Sequence, residues 1–234
     1  MFILFGLSSF IPHLLLVWRT RLKTDLARMT EILIVFAHPD DETMFFLPLI
    51  LLARKLGVSY HLLCLTSGDF DGLGAIRKKE FDRVGKRLKA LKAEILDEDG
   101  LRDGPTRWET VAVTSVIDKY LREHPKIDGI FTFDDYGVSG HPNHISVHNG
   151  VKSMKTSIPR YCLSSVFLLQ KYLPPLDLWL SLAFSGKDSL MAVNTDEPFL
   201  SAEIMKLYAS QNVWFRRLFS FFSRYSYINT FHRI

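Results

Sequence analysis

Ile32-Leu33-Ile34-Val35-Phe36-Ala37-His38-Pro39-Asp40-Asp41-Glu42 decides how this chain is read. The run from Ile32 to Ala37 is continuously apolar, with β-branched residues, the pattern of a strand buried on both faces of a parallel sheet. It ends on one imidazole and three carboxylates. Pro39 restricts His38 to extended backbone, so the ring can point into the space beyond the strand instead of along a helix. A second stretch has the same form: Ile130-Phe131-Thr132-Phe133 leads into Asp134-Asp135 and then His141-Pro142-Asn143-His144. Open α/β sheets bind ligands in the crevice beyond the carboxyl ends of their strands, so the two strand ends predict one site.

Working outward, strands are expected at Ile32–Ala37, Val58–Thr66, Ala93–Leu96, Ile127–Phe133 and Tyr161–Leu169, with a last one at Leu190–Val193. Between them lie helical stretches: Glu42–Lys55, delayed or kinked by Pro48, then Ile76–Leu91, Trp108–Arg122 and His144–Lys155. Strands alternating with helices of this length argue for βαβ units, and hence for a Rossmann-like, mostly parallel α/β sheet flanked by helices. Leu173-Pro174-Pro175 and Phe184-Ser185-Gly186-Lys187 suggest an irregular excursion before the last strand. The chain of 234 residues is long enough for one well-buried domain, and 47% apolar residues is ordinary for a globular protein. Cys64 and Cys162 sit in apolar runs and read as buried free thiols, which fits a reducing compartment.

Two histidines and one carboxylate with an open coordination position are a common catalytic metal set, whereas a structural zinc site is closed by four protein ligands. His38, Asp41 and His144 supply such a set, and the same donors accept zinc, iron or cobalt. Asp40, next to a ligand but directed differently, is placed to take a proton from an attacking water. His141, as an imidazolium, would stabilise a developing oxyanion or protonate a leaving amine, with Asp134 hydrogen-bonded to it and keeping it charged. The plain alternatives are that Asp40 or Asp41 caps the helix beginning near Glu42 and that a loop histidine is only surface. Capping needs one carboxylate and no histidine, so it does not explain both clusters together. His13, His61, His124, His148 and His232 lack such company and read as structural or surface residues.

Charge is unevenly spread. Residues 1–30 carry Arg19, Arg21, Lys23 and Arg28 against Asp25, and residues 204–234 carry five basic groups against no acid, leaving 20 basic and 24 acidic groups between them. Phe2–Trp18 is a run of 17 residues without formal charge, about 26 Å if helical, marginal against a hydrocarbon core of roughly 30 Å. The basic cluster follows this run and none precedes it, the reverse of a cleavable signal. Residues 1–30 are therefore expected to form a membrane anchor and juxtamembrane segment, with residues 31–234 facing the cytoplasm. Trp214–Tyr225 interleaves aromatics with arginines. Such a segment either lies in the plane of a membrane or forms an ordinary packing helix with snorkelling arginines. No nucleic-acid recognition motif accompanies it.

Ala37-His38-Pro39-Asp40-Asp41-Glu42-Thr43-Met44-Phe45-Phe46 together with Gly137-Val138-Ser139-Gly140-His141-Pro142-Asn143-His144 resembles the PIG-L/LmbE-like family of zinc-dependent de-N-acetylases. The ending Phe222–Thr230 is similar to the eukaryotic branch. Over residues 31–230 the resemblance implies a zinc site at His38, Asp41 and His144, a general base at Asp40 and an electrostatic or acid partner at His141. It further implies that Arg77 contacts substrate and that Asp103 lies near sugar hydroxyls. Soluble relatives often carry Asp where this chain has Asn143. The implied reaction is removal of the N-acetyl group from glucosamine linked to phosphatidylinositol, on the cytoplasmic face of the endoplasmic reticulum membrane, during assembly of glycosylphosphatidylinositol anchors. The rival readings are a deacetylase of another N-acetylglucosaminyl conjugate and a non-catalytic glycolipid-binding protein.

Overall fold

The computed structural model describes residues 25–172, 190–194 and 196–234. Strand β1 (Glu31–Phe36) pairs in parallel with β2 (Ser59–Cys64) on one side and β4 (Gly129–Phe133) on the other. Beyond β2 lies β3 (Lys92–Ile95), and beyond β4 lies β5 (Arg160–Leu163), both parallel to their neighbours. The sheet order is β3-β2-β1-β4-β5-β7-β6, with β6 at Leu190–Val193 and β7 at Ile228–Arg233. The chain reverses its direction of travel across the sheet at β1, so the gap between the carboxyl ends of β1 and β4 is a topological switch point. Both expected clusters leave the sheet there.

Helices cover both faces, and this is why β1 is apolar without alternation. Ile32, Ile34 and Phe36 pack against α1 (Asp41–Phe45), α2 (Leu47–Leu56) and α3 (Gly74–Leu88) in one buried cluster. Leu33, Val35 and Ala37 pack on the other face with α4 (Thr110–Glu123) and α5 (Pro142–Ser153). The expected single helix from Glu42 is broken at Phe46, and Pro48 sits in the first turn of α2, where its missing N–H costs nothing. Asn229 of β7 holds this break: its side-chain amide donates to the Phe45 carbonyl at 2.7 Å and accepts from Leu49 N at 3.2 Å.

Two expectations about the carboxyl-terminal third are corrected. The strand expected at Tyr161–Leu169 stops at Leu163, and Leu168–Tyr172 is instead a short helix, α6. Leu190–Val193 is not the last strand. After α7 (Leu200–Met205) and α8 (Trp214–Phe222) the chain returns as β7, inserted antiparallel between β5 and β6. Among the described residues no helix is long and apolar enough to cross a membrane. The anchor expected over residues 2–18 lies outside the described residues, as does the excursion expected over residues 173–187. Both cysteines are buried free thiols.

Candidate functional site

The turn after β1 folds back on itself. Asp41 Oδ2 accepts a hydrogen bond from the backbone N–H of His38 at 2.8 Å, so Asp41 is used to close the turn and to face the imidazole. Asp40 takes φ 103°, a left-handed value that a non-glycine residue adopts at a cost. The conformation is held by Glu42, whose Oε2 accepts from Asp40 N at 3.2 Å and whose Oε1 accepts from Thr43 Oγ1 at 2.6 Å and Tyr208 OH at 2.8 Å. Burial pushes Glu42 up to about 7 despite those donors. The Asp40 side chain makes no capping bond to α1, which removes the capping alternative for that residue.

From the second strand end, the turn Gly137–Gly140 brings His141 and His144 across to His38. Asp134 does not touch His141, contrary to expectation. Its carboxylate accepts from Gly137 N at 3.0 Å and from the Ser165 hydroxyl at 2.6 Å, and Gly137 O in turn accepts from His144 Nδ1 at 3.0 Å. Asp134 thus shapes the loop that orients His144. Gly137, at φ 64°, is required: a Cβ there would come within 2.7 Å of the His144 Cβ. The His144 ring is stacked on Phe133 at 4.1 Å.

Among the described residues, His38, His141 and His144 form a group whose ligand atoms lie within 4.8 Å of one another and that could hold a metal ion. Asp41 lies in the same place, with Oδ2 3.3 Å from His144 Nε2 and 3.6 Å from His38 Nδ1. Ligand atoms of a tetrahedral site with bonds of about 2.1 Å stand roughly 3.4 Å apart, so Asp41 already stands at that spacing from both His38 and His144. The tautomers separate the two candidate sets. His141 Nδ1 accepts from the backbone N–H of Asn143 at 3.2 Å, which makes His141 the N-cap of α5 and puts the proton of the neutral ring on Nε2. In that form Nε2 is a donor, not a ligand.

Electrostatics agree with a cation at His38 and a neutral His141. Burial alone would lower His38, but its hydrogen bonds to the Asp103 and Asp41 carboxylates raise it to about 10, so the surroundings of the ring favour a positive charge. Asp41 is kept well below the usual carboxylate range by His144 and His38 in spite of its burial. Burial, with His144 and His38 close by, lowers His141 to about 4, which favours the neutral ring over the expected imidazolium. A neutral histidine can still polarise an acyl oxygen through Nε2–H.

Arg77 and Asp103, both expected at substrate, are engaged with the protein. Arg77 is buried; Nη2 donates to Pro39 O at 2.6 Å and lies 3.5 Å from Asp40 Oδ1, and Nη1 donates to Gly68 O at 3.0 Å. It fixes the turn that carries the site. A Cβ at Gly68, itself at φ 70°, would strike the guanidinium. Asp103 Oδ1 stands 3.0 Å from His38 Nε2 and its Oδ2 accepts from Phe70 N at 3.4 Å. Asn143 Oδ1 lies at the same 3.0 Å from His38 Nε2, with Nδ2 donating to Thr106 O at 2.9 Å. A metal-ligating histidine ordinarily gives its other N–H to such a carboxylate or carbonyl, and in this site that bond leaves Nδ1 facing Asp41.

Sequence reasoning missed Arg216, Tyr208 and Lys171. Arg216 Nε is 3.3 Å from Asp40 Oδ2, reaching in from α8, which in sequence reads only as a basic, aromatic segment. Burial raises Asp40 while Arg216 and Arg77 pull it down. All of these groups but Tyr208 border a cavity of about 830 Å³, which Phe70, Phe215 and Phe219 also line. Its size falls within the range of small-molecule sites.

Comparison with known proteins identifies where such a site occurs. Residues 33–155 match the model of the GlcNAc-PI de-N-acetylase family, PIG-L. The N-acetylglucosaminyl-phosphatidylinositol de-N-acetylase of Bos taurus is 38% identical over 212 residues, 85% of this chain and 81% of that one. A probable enzyme of the same name from Schizosaccharomyces pombe is 33% identical, covering 87% and 86%. The fold is shared with N,N'-diacetylchitobiose deacetylase from Pyrococcus horikoshii, with a TM-score of 0.62, 20% identity and coverage of 94% and 90%.

Proposed function

We propose the function from the premise that this chain belongs to the PIG-L family of GlcNAc-PI de-N-acetylases. It is a deacetylase that hydrolyses the N-acetyl group of N-acetylglucosaminylphosphatidylinositol, giving glucosaminylphosphatidylinositol and acetate in the assembly of glycosylphosphatidylinositol anchors. The observation that carries the reading is the convergence of His38, Asp41 and His144 beside a buried Asp40 and a neutral, N–H-presenting His141.

His38, Asp41 and His144 would hold the metal, assigned as zinc. When bound, it supplies Lewis acidity, polarising the acyl oxygen and lowering the pKa of water to about 7. Asp40 takes the proton of the attacking water; burial makes it a stronger base than an exposed aspartate. Arg77 and Arg216 bracket its two oxygens and hold the carboxylate in one orientation. His141 Nε2–H donates to the oxygen that gains charge as the carbonyl becomes tetrahedral. Asp40 then returns its proton to the amine nitrogen as the C–N bond breaks, so no proton is needed from His141. Lys171, in the cavity lining, is the cation assigned to the inositol phosphate.

The reading includes attachment to the endoplasmic reticulum membrane through residues 2–18, with the site facing the cytoplasm. Its test is acetate release from N-acetylglucosaminylphosphatidylinositol after chelation and zinc restoration, comparing the native chain with Asp40→Asn. Loss of a positioned base lowers kcat about 10²- to 10⁴-fold. Full activity in the variant, or activity indifferent to chelation, would remove the mechanism.

A further inference from the structure

Helix α8 is amphipathic in the wrong sense for a surface helix. At 100° per residue, Trp214, Leu218, Phe221 and Phe222 fall on one side and Arg216 and Ser220 on the other. Surface helices normally turn the apolar side to the core. In α8 the reverse holds: Ser220 is buried and Arg216 reaches inward to Asp40, while Trp214, Leu218, Phe221 and Phe222 are between 46% and 72% exposed.

The patch continues past the helix. Phe221 touches the exposed Phe199 with ring centroids 6.3 Å apart, and on the other side Phe219 meets the edge of Tyr172 at 6.4 Å. Tyr172 belongs to α6, where Leu168 and Leu169 are also exposed, after an exposed Phe167. Large contiguous apolar surface on a soluble domain marks an interaction site. Phe215, Phe219 and Lys171 of the same two helices line the cavity, so the apolar surface borders the entrance to the site. The charged side chains of α8 are of one sign: residues 204–234 contain no acidic side chain, and Arg217 is exposed beside Leu218, whereas Glu197 and Glu203 lie at the Phe199 end of the patch.

We propose that the outward face of α8, extended by α6 and Phe199, lies in the interfacial plane of an anionic phospholipid bilayer, so that the cavity opens directly onto the headgroup layer. Aromatic rings at headgroup depth and an arginine against anionic lipid are what hold such a helix in that plane. The docking is carried by the surface itself. Its consequence, that a headgroup sugar enters the site while its acyl chains stay in the bilayer, rests on the substrate proposed above.

The test labels the full chain with nitrobenzoxadiazole at L218C, and at V111C on α4 as the control. Native Cys64 and Cys162 are both fully buried, so labelling is selective. With vesicles of phosphatidylcholine and roughly 30 mol% phosphatidylserine, emission at position 218 rises at least about twofold and is quenched by doxyl-labelled lipid, while position 111 stays in water. A chain held only by its amino-terminal segment would leave both labels unquenched, and that result overturns the proposal. So does a label at 218 that is already shielded without vesicles, or that becomes shielded with rising protein concentration. In a second variant, Trp214→Ser, Leu218→Ser and Phe222→Ser together lower acetate release from bilayer-borne substrate about tenfold or more and leave a soluble short-chain analogue unchanged. Equal loss on both substrates argues against docking. The label readout needs no turnover, so it decides docking even if the reaction proposed above fails.

Discussion

Asp103→Ala separates two roles that a single carboxylate near a sugar-processing site can have. If Asp103 binds hydroxyls, the variant raises KM and leaves the metal alone. The geometry argues for the other role, because Oδ1 is 3.0 Å from His38 Nε2, with only 8% and 12% of the two side chains exposed. A hydrogen bond with a charged partner in such a place contributes about 1.5–3 kcal/mol. Removing it frees the His38 ring to rotate, and the expected cost is a 10- to 100-fold weaker metal affinity, the usual range for an orienting partner of a metal-bound histidine. Asn143 Oδ1 sits at the same distance and retains part of the effect, so Asp103→Ala should fall at the lower end. The double variant with Asn143→Ala should lose more than the sum of the single losses, because each acceptor covers for the other. The assay is competition for zinc against a chromogenic chelator, with kcat and KM measured separately at saturating metal. Unchanged zinc affinity together with a raised KM would refute the orienting role and restore the hydroxyl contact.

Lys171→Gln should raise KM for the phosphatidylinositol-linked substrate about fivefold, the loss of roughly 1 kcal/mol of partly screened phosphate pairing, without changing turnover of a phosphate-free analogue. Equal effects on both would take the phosphate away from Lys171. Asn229→Ala leaves the Phe45 carbonyl and the Leu49 N–H without their partner in a buried place. At about 1–3 kcal/mol for each of the two unmade buried groups the cost is roughly 2–6 kcal/mol, a fall in melting temperature of about 5–20 °C measured by calorimetry. A shift under about 2 °C would show that water replaces the amide.

The parallel part of the sheet is legible because β1, buried on both faces, reads as an unbroken apolar run, and β2 and β4 read nearly so, interrupted inside by the buried His61 and Thr132. His38, Asp41 and His144 are legible for a related reason: the switch point gathers whatever follows β1 and β4, and those residues follow directly. β7 carries no such signal. Asn229, Thr230, His232 and Arg233 make it look like surface, although Asn229 is fully buried and spends its polarity on the α1–α2 break. Arg77 and Asp103 are indicated by resemblance alone, and resemblance supplies their positions but not what they touch. Each is engaged with the protein, one with the Pro39 carbonyl and the other with His38 Nε2, in an arrangement that depends on loops remote in sequence. The charge state of His141 is equally hidden, since it follows from burial and from the single backbone N–H that its ring accepts at the start of α5.

Helix α8 joins two demands that composition alone cannot tell apart. Turning Arg216 inward to Asp40 fixes the helical phase, and with that phase Trp214, Leu218 and Phe222 have no choice but to face outward. The catalytic pairing and the exposed apolar face are then one geometric fact, and exchanging neighbours should separate them. Phe215→Arg with Arg216→Phe keeps the composition, the net charge and Trp214, Leu218, Phe221 and Phe222, but moves the guanidinium by 100° around the axis to a half-exposed position. Asp40 Oδ2 loses the ion-pair partner it has on α8, 3.3 Å away, so turnover of a soluble analogue should fall roughly tenfold, about 1.4 kcal/mol in the barrier. Partition to anionic vesicles should change by less than about threefold, since Trp214, Leu218, Phe221 and Phe222 are retained and the aromatic ring lost at position 215 is offset by a cation that faces anionic lipid. Unimpaired turnover in the exchanged chain would mean that Asp40 does not need Arg216, and that something other than this ion pair sets the phase of the helix.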